Sequence, residues 1–423
     1  MYKQFFILFL FPSLLTLTIF PFTRVLSAND DGFFSVNPED YYNFGDYGEE
    51  SKVSNQLHKE NNTVDQSALP TPPSPQPSTS TTVKKHPFNI AVTADWGCSE
   101  DTKKTAENIQ KKNPELVISA GDASYHKSSK CWFDIIKPFK SKMKIAMGDH
   151  EYSDTSGGVT GVMNQYLKPL NLQKTYYSFD RYNVHFIIVD PFIDYSTSSV
   201  QYQFIEQDLR NVYNNPNIDW TFVVETTPIY TSLAQHPGDS TIRDIYHPLF
   251  DKYGVDLVLT SDNHNYQRTF PLKYNGEDGD SSNPVIVDSN QNNYHIIDDD
   301  DENDKGVIYL ITGTGGRSLY EIKEQAPFVA KQDDKHFGFL NIDINGKKLK
   351  GTFYANELQI PHYHYVNYQN NVIDEFTISK TTELDNDKGF EKLLYDSYQK
   401  LKRTRISIIY VIVNKYYIQN VFL

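Results

Sequence analysis

The chain has 423 residues, and 54 acidic side chains against 40 basic ones give it a net charge of −14. That length suits one large domain with appendages. The acidic balance argues against non-specific nucleic-acid binding, which needs a basic face.

The N-terminus reads as an export segment. Lys3 supplies a positive start, Phe5 to Phe22 is almost wholly apolar, and Val25-Leu26-Ser27-Ala28 offers a small residue at a cleavage point. Residues 1–28 are therefore a signal peptide or, since a bilayer span takes ~20 apolar residues, an N-terminal anchor. Residues 29–86 hold the acidic, tyrosine-bearing run Pro38-Glu39-Asp40-Tyr41-Tyr42 and the Pro/Ser/Thr-rich stretch from Leu69 to Ser78. Such a composition buries no core and is expected to be a disordered linker or stalk. Asn61-Asn62-Thr63 fits a glycosylation sequon. The chain has two cysteines, Cys98 and Cys131. Each follows shortly after a strand-ending acidic motif, so in an exported protein one disulfide is expected.

The folded domain is expected over 87–380. Three strand-like runs end in an aspartate: Ile90 to Ala94 at Asp95, Leu116 to Ser119 just before Gly121-Asp122, and Lys144 to Gly148 at Asp149. Both intervals, 95 to 122 and 122 to 149, are 27 residues, close to the ~30 of a βαβ unit. Parallel neighbours would bring the three carboxylates to one sheet edge, where ligands of α/β folds bind. Crowded carboxylates repel, and a metal ion is the simplest partner for them. A helix is expected from Ser99 to the Asn113-Pro114 stop, and another on the face Trp132, Ile135, Ile136, Phe139. Further strands are expected over 184–189, 220–224, 255–259 and 307–312, and a helix over 243–253. A hairpin turning at Asn345-Gly346 is expected within 338–354. Asn290 to Asp304, with Asp298 to Asp301 in a row, reads as a surface loop. The tail 381–423 is charged, then apolar over Ile406 to Val413, too short for a membrane span.

Four motifs fall in order: Asp95-Trp96-Gly97, Gly121-Asp122-Ala123-Ser124-Tyr125, Gly148-Asp149-His150-Glu151 and His264-Asn265-Tyr266-Gln267-Arg268. With them the chain resembles the calcineurin-like metallophosphoesterases, closest to the purple acid phosphatase branch. Gly313-Thr314-Gly315-Gly316 also looks like that branch. The resemblance implies an α/β fold, a four-layer α/β/β/α sandwich with mixed sheets and a two-metal site at the strand ends. It implies a first metal, iron at a tyrosinate, held by Asp95, Asp122, Tyr125 and His264, with Asp122 bridging to the second. The implied activity is hydrolysis of a phosphate-ester substrate by a metal-bound hydroxide. His150 matches the substrate-contacting histidine, and Glu151 is placed to orient it.

The second site departs from the family pattern. Asp149 stands for an asparagine, Thr226 for a histidine and Asp262 for another histidine. One explanation is an oxygen-only site formed with Asp122 by Asp149, Thr226 and Asp262, suited to Mg²⁺, Mn²⁺ or Ca²⁺ more than Zn²⁺. The other is decay, leaving a lapsed phosphoesterase fold used as a surface binding or scaffold module. Two gained carboxylates favour the first. His236 and His247 are nearby candidates to line the pocket, with a structural role favoured for both.

Overall fold

A computed structural model describes residues 86–276, 279–297, 305–356 and 371–381. The export segment, the linker up to residue 85, the run Asp298–Asp301 and the tail from 382 lie outside the described residues. The first sheet is built on β1 (Phe88–Thr93), β2 (Leu116–Ser119) and β3 (Met143–Ile145), all parallel. Between them lie α1 (Glu100–Lys112) and α2 (Lys130–Ile136). The Ser99 hydroxyl accepts from the Thr102 amide, and Thr102 Oγ1 accepts from the Ser99 amide, closing the start of α1. Asn113 ends it in the left-handed region, just before Pro114. Helix α2 is shorter than the apolar spacing suggests: the chain tightens into a 3-10 turn, Lys137–Lys142, at Pro138. Short helices α3 (Asp149–Ser153) and α4 (Gly158–Val162) follow β3.

The second sheet begins with β4 (Tyr177–Arg181) and β5 (Val184–Ile188). It then alternates with α5 (Val200–Tyr213), β6 (Trp220–Val224), α6 (Ser240–Lys252) and β7 (Leu257–Thr260). Strand β8 (Tyr266–Thr269) is antiparallel to β12 (Ile308–Thr312), and β12 is parallel to β7. A small pair, β9 (Leu272–Lys273) and β10 (Val285–Ile286), stands apart, and β11 (Asn293–Ile297) joins the first sheet. Strand β13 (Val329–Asp333) closes the second sheet. The hairpin β14 (Gly338–Asn345) and β15 (Lys348–Ala355) and the last strand β16 (Val372–Thr381) complete the first. The two seven-stranded orders are β11-β16-β15-β14-β1-β2-β3 and β13-β8-β12-β7-β6-β5-β4.

Side chains alternate across a strand, and that alternation builds the layers. Ile90, Val92, Leu116 and Ile118 share a core with the second sheet's Phe186, Phe222 and Leu310. Ala91 and Val117 point the other way, into a core with Ile109 of α1 and Trp132 and Ile136 of α2. Ile205 and Leu209 of α5 and Ile242 and Tyr246 of α6 cover the second sheet. The result is the expected α/β/β/α sandwich with mixed sheets. Across the sheets, Arg268 of β8 grips Asp374 of β16 through Nε at 2.6 Å and Nη2 at 2.9 Å, both residues buried. The Tyr266 hydroxyl donates to the same carboxylate at 2.8 Å. The aromatic and basic members of His264-x-Tyr266-x-Arg268 thus serve the sandwich.

One expectation is corrected. The segment read as a loop from Asn290 carries β11, paired in parallel with β16. Its Tyr294 is buried, and Arg268 donates a hydrogen bond to the Tyr294 hydroxyl. That burial makes a strand of a segment whose composition is polar.

Cys98 and Cys131 are joined, with Cα atoms 6.0 Å apart. The bond ties the loop after Asp95 to the start of α2, across a separation of 33 residues. The double variant C98S/C131S should lose about 2–4 kcal/mol of stability. A lower midpoint in urea with unchanged far-UV circular dichroism is the expected reading; an unmoved midpoint contradicts it.

Candidate metal centre

At the carboxyl ends of β1, β2 and β7 the backbone enters the left-handed region at three aspartates. Asp95 has φ 52°, Asp122 φ 51° and Asp262 φ 67°; Tyr125 joins them at φ 55°. Residues other than glycine rarely adopt that conformation, and it concentrates at functional sites. Here it turns four side chains towards the rim of the sandwich.

The Tyr125 hydroxyl is the point of convergence. It lies 2.8 Å from Asp95 Oδ1, 3.2 Å from Asp122 Oδ2 and 3.0 Å from His264 Nε2. His264 Nδ1 donates to the Ser318 carbonyl at 2.7 Å, which leaves Nε2 as the atom facing the cluster. The His264 ring is stacked on Tyr320, with centroids 3.9 Å apart. One phenol carries one proton, yet oxygen and nitrogen lone pairs crowd around it. Asp95 Oδ2 is buried without a hydrogen-bond partner. A hard cation satisfies all of these donors at once, so the residues present fit a metal ion.

Beside this cluster, one ligand atom each from Asp122, Asp149 and His150 lie within 4.8 Å of one another. Asp122 therefore stands between the two groups. Gly148 is close enough that a Cβ there would sit 1.9 Å from Asp122 Oδ1, so only glycine fits beside that carboxylate. Asp262 neighbours Asp149 electrostatically and lies 3.9 Å from His236 Nε2.

The carboxylates respond to each other. Burial, and then the charges of Asp149, Asp95, Glu151 and Asp262, push the Asp122 carboxyl well above its ordinary value. Burial, with Asp149 and Asp95, lifts Asp262 to about 6 against the opposing pull of His236 and His264. Asp95 moves down: burial opposes it, but His264 and the hydroxyl of Tyr125 win. Burial, and then Asp122 and Asp95, raise the Tyr125 phenol.

Two expected roles need correction. The Thr226 hydroxyl is fully buried 2.9 Å from both the Ala120 and Met147 carbonyls. It ties the ends of β2 and β3 to the end of β6, so its proton is spent on a backbone carbonyl. Without Thr226, the second group keeps the carboxylate oxygens of Asp122, Asp149 and Asp262, with His150 beside them. Glu151 does not orient His150. Its carboxylate accepts from the amides of Asp122 at 2.9 Å, Gly148 at 2.8 Å and Ala123 at 2.8 Å, while burial lifts it to about 7. It holds the two strand-end loops together. The group paired with His150 is Asp154, whose Oδ2 is 2.7 Å from Nδ1, and the His150 ring packs on Tyr125 at 3.9 Å between centroids.

Of the two further histidines, His247 is fully buried, with Nδ1 hydrogen-bonded to the Tyr230 hydroxyl at 2.8 Å. His236 belongs to the site's edge instead. Asn263 fixes its backbone through Nδ2 to the His236 carbonyl and Oδ1 from the His236 amide. Asp154, Ser318, Tyr320 and Arg317 were not legible as site residues. The Gly313-Thr314-Gly315-Gly316 run was the one signal that the loop carrying Arg317, Ser318 and Tyr320 mattered.

The sequence profile of the calcineurin-like phosphoesterases matches residues 88–266. Over these residues the chain is similar to the calcineurin-like phosphoesterases. Probable purple acid phosphatase 20 of Arabidopsis thaliana is 29% identical over 201 residues, covering 44% of this chain and 47% of that protein. Purple acid phosphatase 21 of the same plant is 27% identical over 238 residues, covering 53% and 52%. The chain thus spans about half the length of these curated relatives. The purple acid phosphatase of yellow lupin (Lupinus luteus) seeds shares the fold, with a TM-score of 0.56 at 20% identity, covering 71% of this chain and 55% of that one. No helix among the described residues of the chain is long and apolar enough to cross a membrane.

The raised carboxyls fix a pH dependence. Asp262 at about 6, against an ordinary 3.8, holds its proton more firmly when folded. It therefore favours the metal-free fold in acid, and that advantage fades as pH rises through about 6. Metal-free protein should lose thermal stability from about pH 4 to about pH 7, less so in Asp262→Asn. Saturating Mn²⁺ should restore more at neutral pH than in acid. Metal-free stability that rises over this range, measured by calorimetry, contradicts the reading.

Proposed function

We propose that the chain is an exported, metal-dependent phosphoesterase that hydrolyses phosphate esters at a two-ion centre. The observation that carries this is the convergence of Asp95, Asp122 and His264 on the single hydroxyl of Tyr125, beside a buried carboxylate oxygen with no partner. The first ion would be held by Asp95, Asp122, Tyr125 and His264, a set whose phenolate and carboxylates suit iron. The second would share Asp122 and add Asp149 and Asp262, a set that favours Mn²⁺ or Mg²⁺ over Zn²⁺. When bound, the two cations would supply a Lewis-acid clamp on the phosphoryl group and a water of lowered pKa.

The chain's own residues do the rest. His150 would hydrogen-bond a phosphoryl oxygen or give a proton to the leaving oxygen, and Asp154 on Nδ1 would fix its tautomer and ring. Glu151 keeps Asp122 and Asp149 at a fixed separation by tying their loops. The disulfide supports export, because such bonds persist in oxidising compartments. The stretch 29–85 would then serve as a stalk.

Hydrolysis of a generic aryl phosphate across a metal series tests this. Mn²⁺ or Mg²⁺ should restore more activity to stripped protein than Zn²⁺, and Asp262→His should shift that preference towards Zn²⁺. Asp122→Ala should lose both ions in metal analysis. No hydrolysis with any metal, and one ion per chain, would support a lapsed scaffold instead.

A further inference from the structure

We propose that Arg317 is the residue that lets this site accept a phosphate dianion, by supplying the positive charge that the altered second site gives up. The inference rests on the phosphoesterase reading and concerns how the substrate is held. Its starting point is charge. The family's pattern places two carboxylates and a tyrosinate around two ions, with neutral asparagine and histidines completing the second site. This chain has carboxylates at Asp149 and Asp262 as well. Asp95, Asp122, Asp149, Asp262 and a Tyr125 phenolate together carry five negative charges, against four or five positive from two ions. A centre so neutralised offers a phosphate dianion little net attraction.

Arg317 stands on the side of that centre formed by Tyr125 and the His150–Asp154 pair. Its guanidinium carbon lies 4.7 Å from the Tyr125 ring centroid, on a side chain that is otherwise exposed. It also helps hold down the pKa of Asp154, the partner of His150. A guanidinium presents a planar fork of N–H donors that matches phosphate oxygens.

Its backbone is pinned to the metal ligands. The Arg317 amide donates to the Asp95 carbonyl at 2.9 Å, and the Gly315 amide to the Ala94 carbonyl at 2.8 Å. The Ser99 hydroxyl donates to the Gly316 carbonyl at 2.9 Å. Gly316 has φ 153°, and a Cβ there would lie 2.3 Å from Thr102 Oγ1, so the loop reaches Arg317 by one route. The next residue, Ser318, orients His264. The loop that sets a ligand's tautomer thus delivers the cation, a preorganised arrangement for anion binding.

The test uses inorganic phosphate as the probe, with calorimetry on protein loaded with Mn²⁺. Arg317→Ala should weaken phosphate binding about 10- to 100-fold, the range for a hydrogen bond to a charged group, with unchanged metal content and melting temperature. Arg317→Lys should recover part of it. In an Asp262→His background, where one negative charge is gone, the loss from Arg317→Ala should shrink. Wild-type affinity in Arg317→Ala, or an equal loss in both backgrounds, overturns the assignment. Wild-type protein that holds two ions and binds no phosphate overturns the phosphoesterase reading, and this inference with it.

Discussion

Four carboxylates held together at one rim of the sandwich set the terms for everything near them. Asp95 and Asp122 are buried, Asp149 and Asp262 stand beside them, and their neighbours' charges raise the cost of ionising Asp122 and Asp262. A buried carboxylate without compensation either takes up a proton or binds a cation. The surrounding contacts hold the carboxylates together rather than apart, the arrangement a cation would need. Four neighbouring residues accept left-handed backbone to aim their side chains, at a cost of order 1–3 kcal/mol for each such residue. Such strain persists only where the fold around it over-determines the conformation.

That over-determination comes from a second ring of contacts. Glu151 receives three amides from two strand ends. Thr226 and Ser261 place their hydroxyls on the Ala120 carbonyl, so the ends of β6 and β7 are locked to the end of β2. Trp96 donates from its indole to Ser119 at 2.9 Å, fixing the loop after Asp95. These residues carry no chemistry of their own. They hold the carboxylates at positions the chain would otherwise relax.

Much of this was legible in the sequence. Equal spacing of Asp95, Asp122 and Asp149 after short apolar runs encodes parallel strands and a common edge, because the pleat and the βαβ length are fixed by geometry. Tyr125 and His264 were legible through their motifs. What escaped depends on direction. Glu151 and Asp154 are both acidic and both close to His150 in sequence. On the one-turn helix α3, Asp154 lies four residues on and shares His150's face, while Glu151 points back to the strand ends. Thr226 occupies a ligand's place in the motif, yet its short side chain reaches backbone carbonyls first. Arg317 lies 53 residues beyond His264, and no local pattern marks a charge delivered by a glycine loop. The stretch from Asn290 to Asp304, polar as a whole, reads as a loop until Arg268 supplies a partner for Tyr294.

The central claim is that this rim holds two cations that share Asp122. The direct measurement is anomalous diffraction from crystals of the protein grown with Mn²⁺, recorded at the manganese edge. The account predicts two peaks about 3.5–4 Å apart, the spacing of two-ion phosphoryl-transfer sites. One would lie against Tyr125 and His264 and the other against Asp149 and Asp262, with Asp122 between them. A single peak at Tyr125, with the Asp149 and Asp262 side uncharged by any ion, would contradict it.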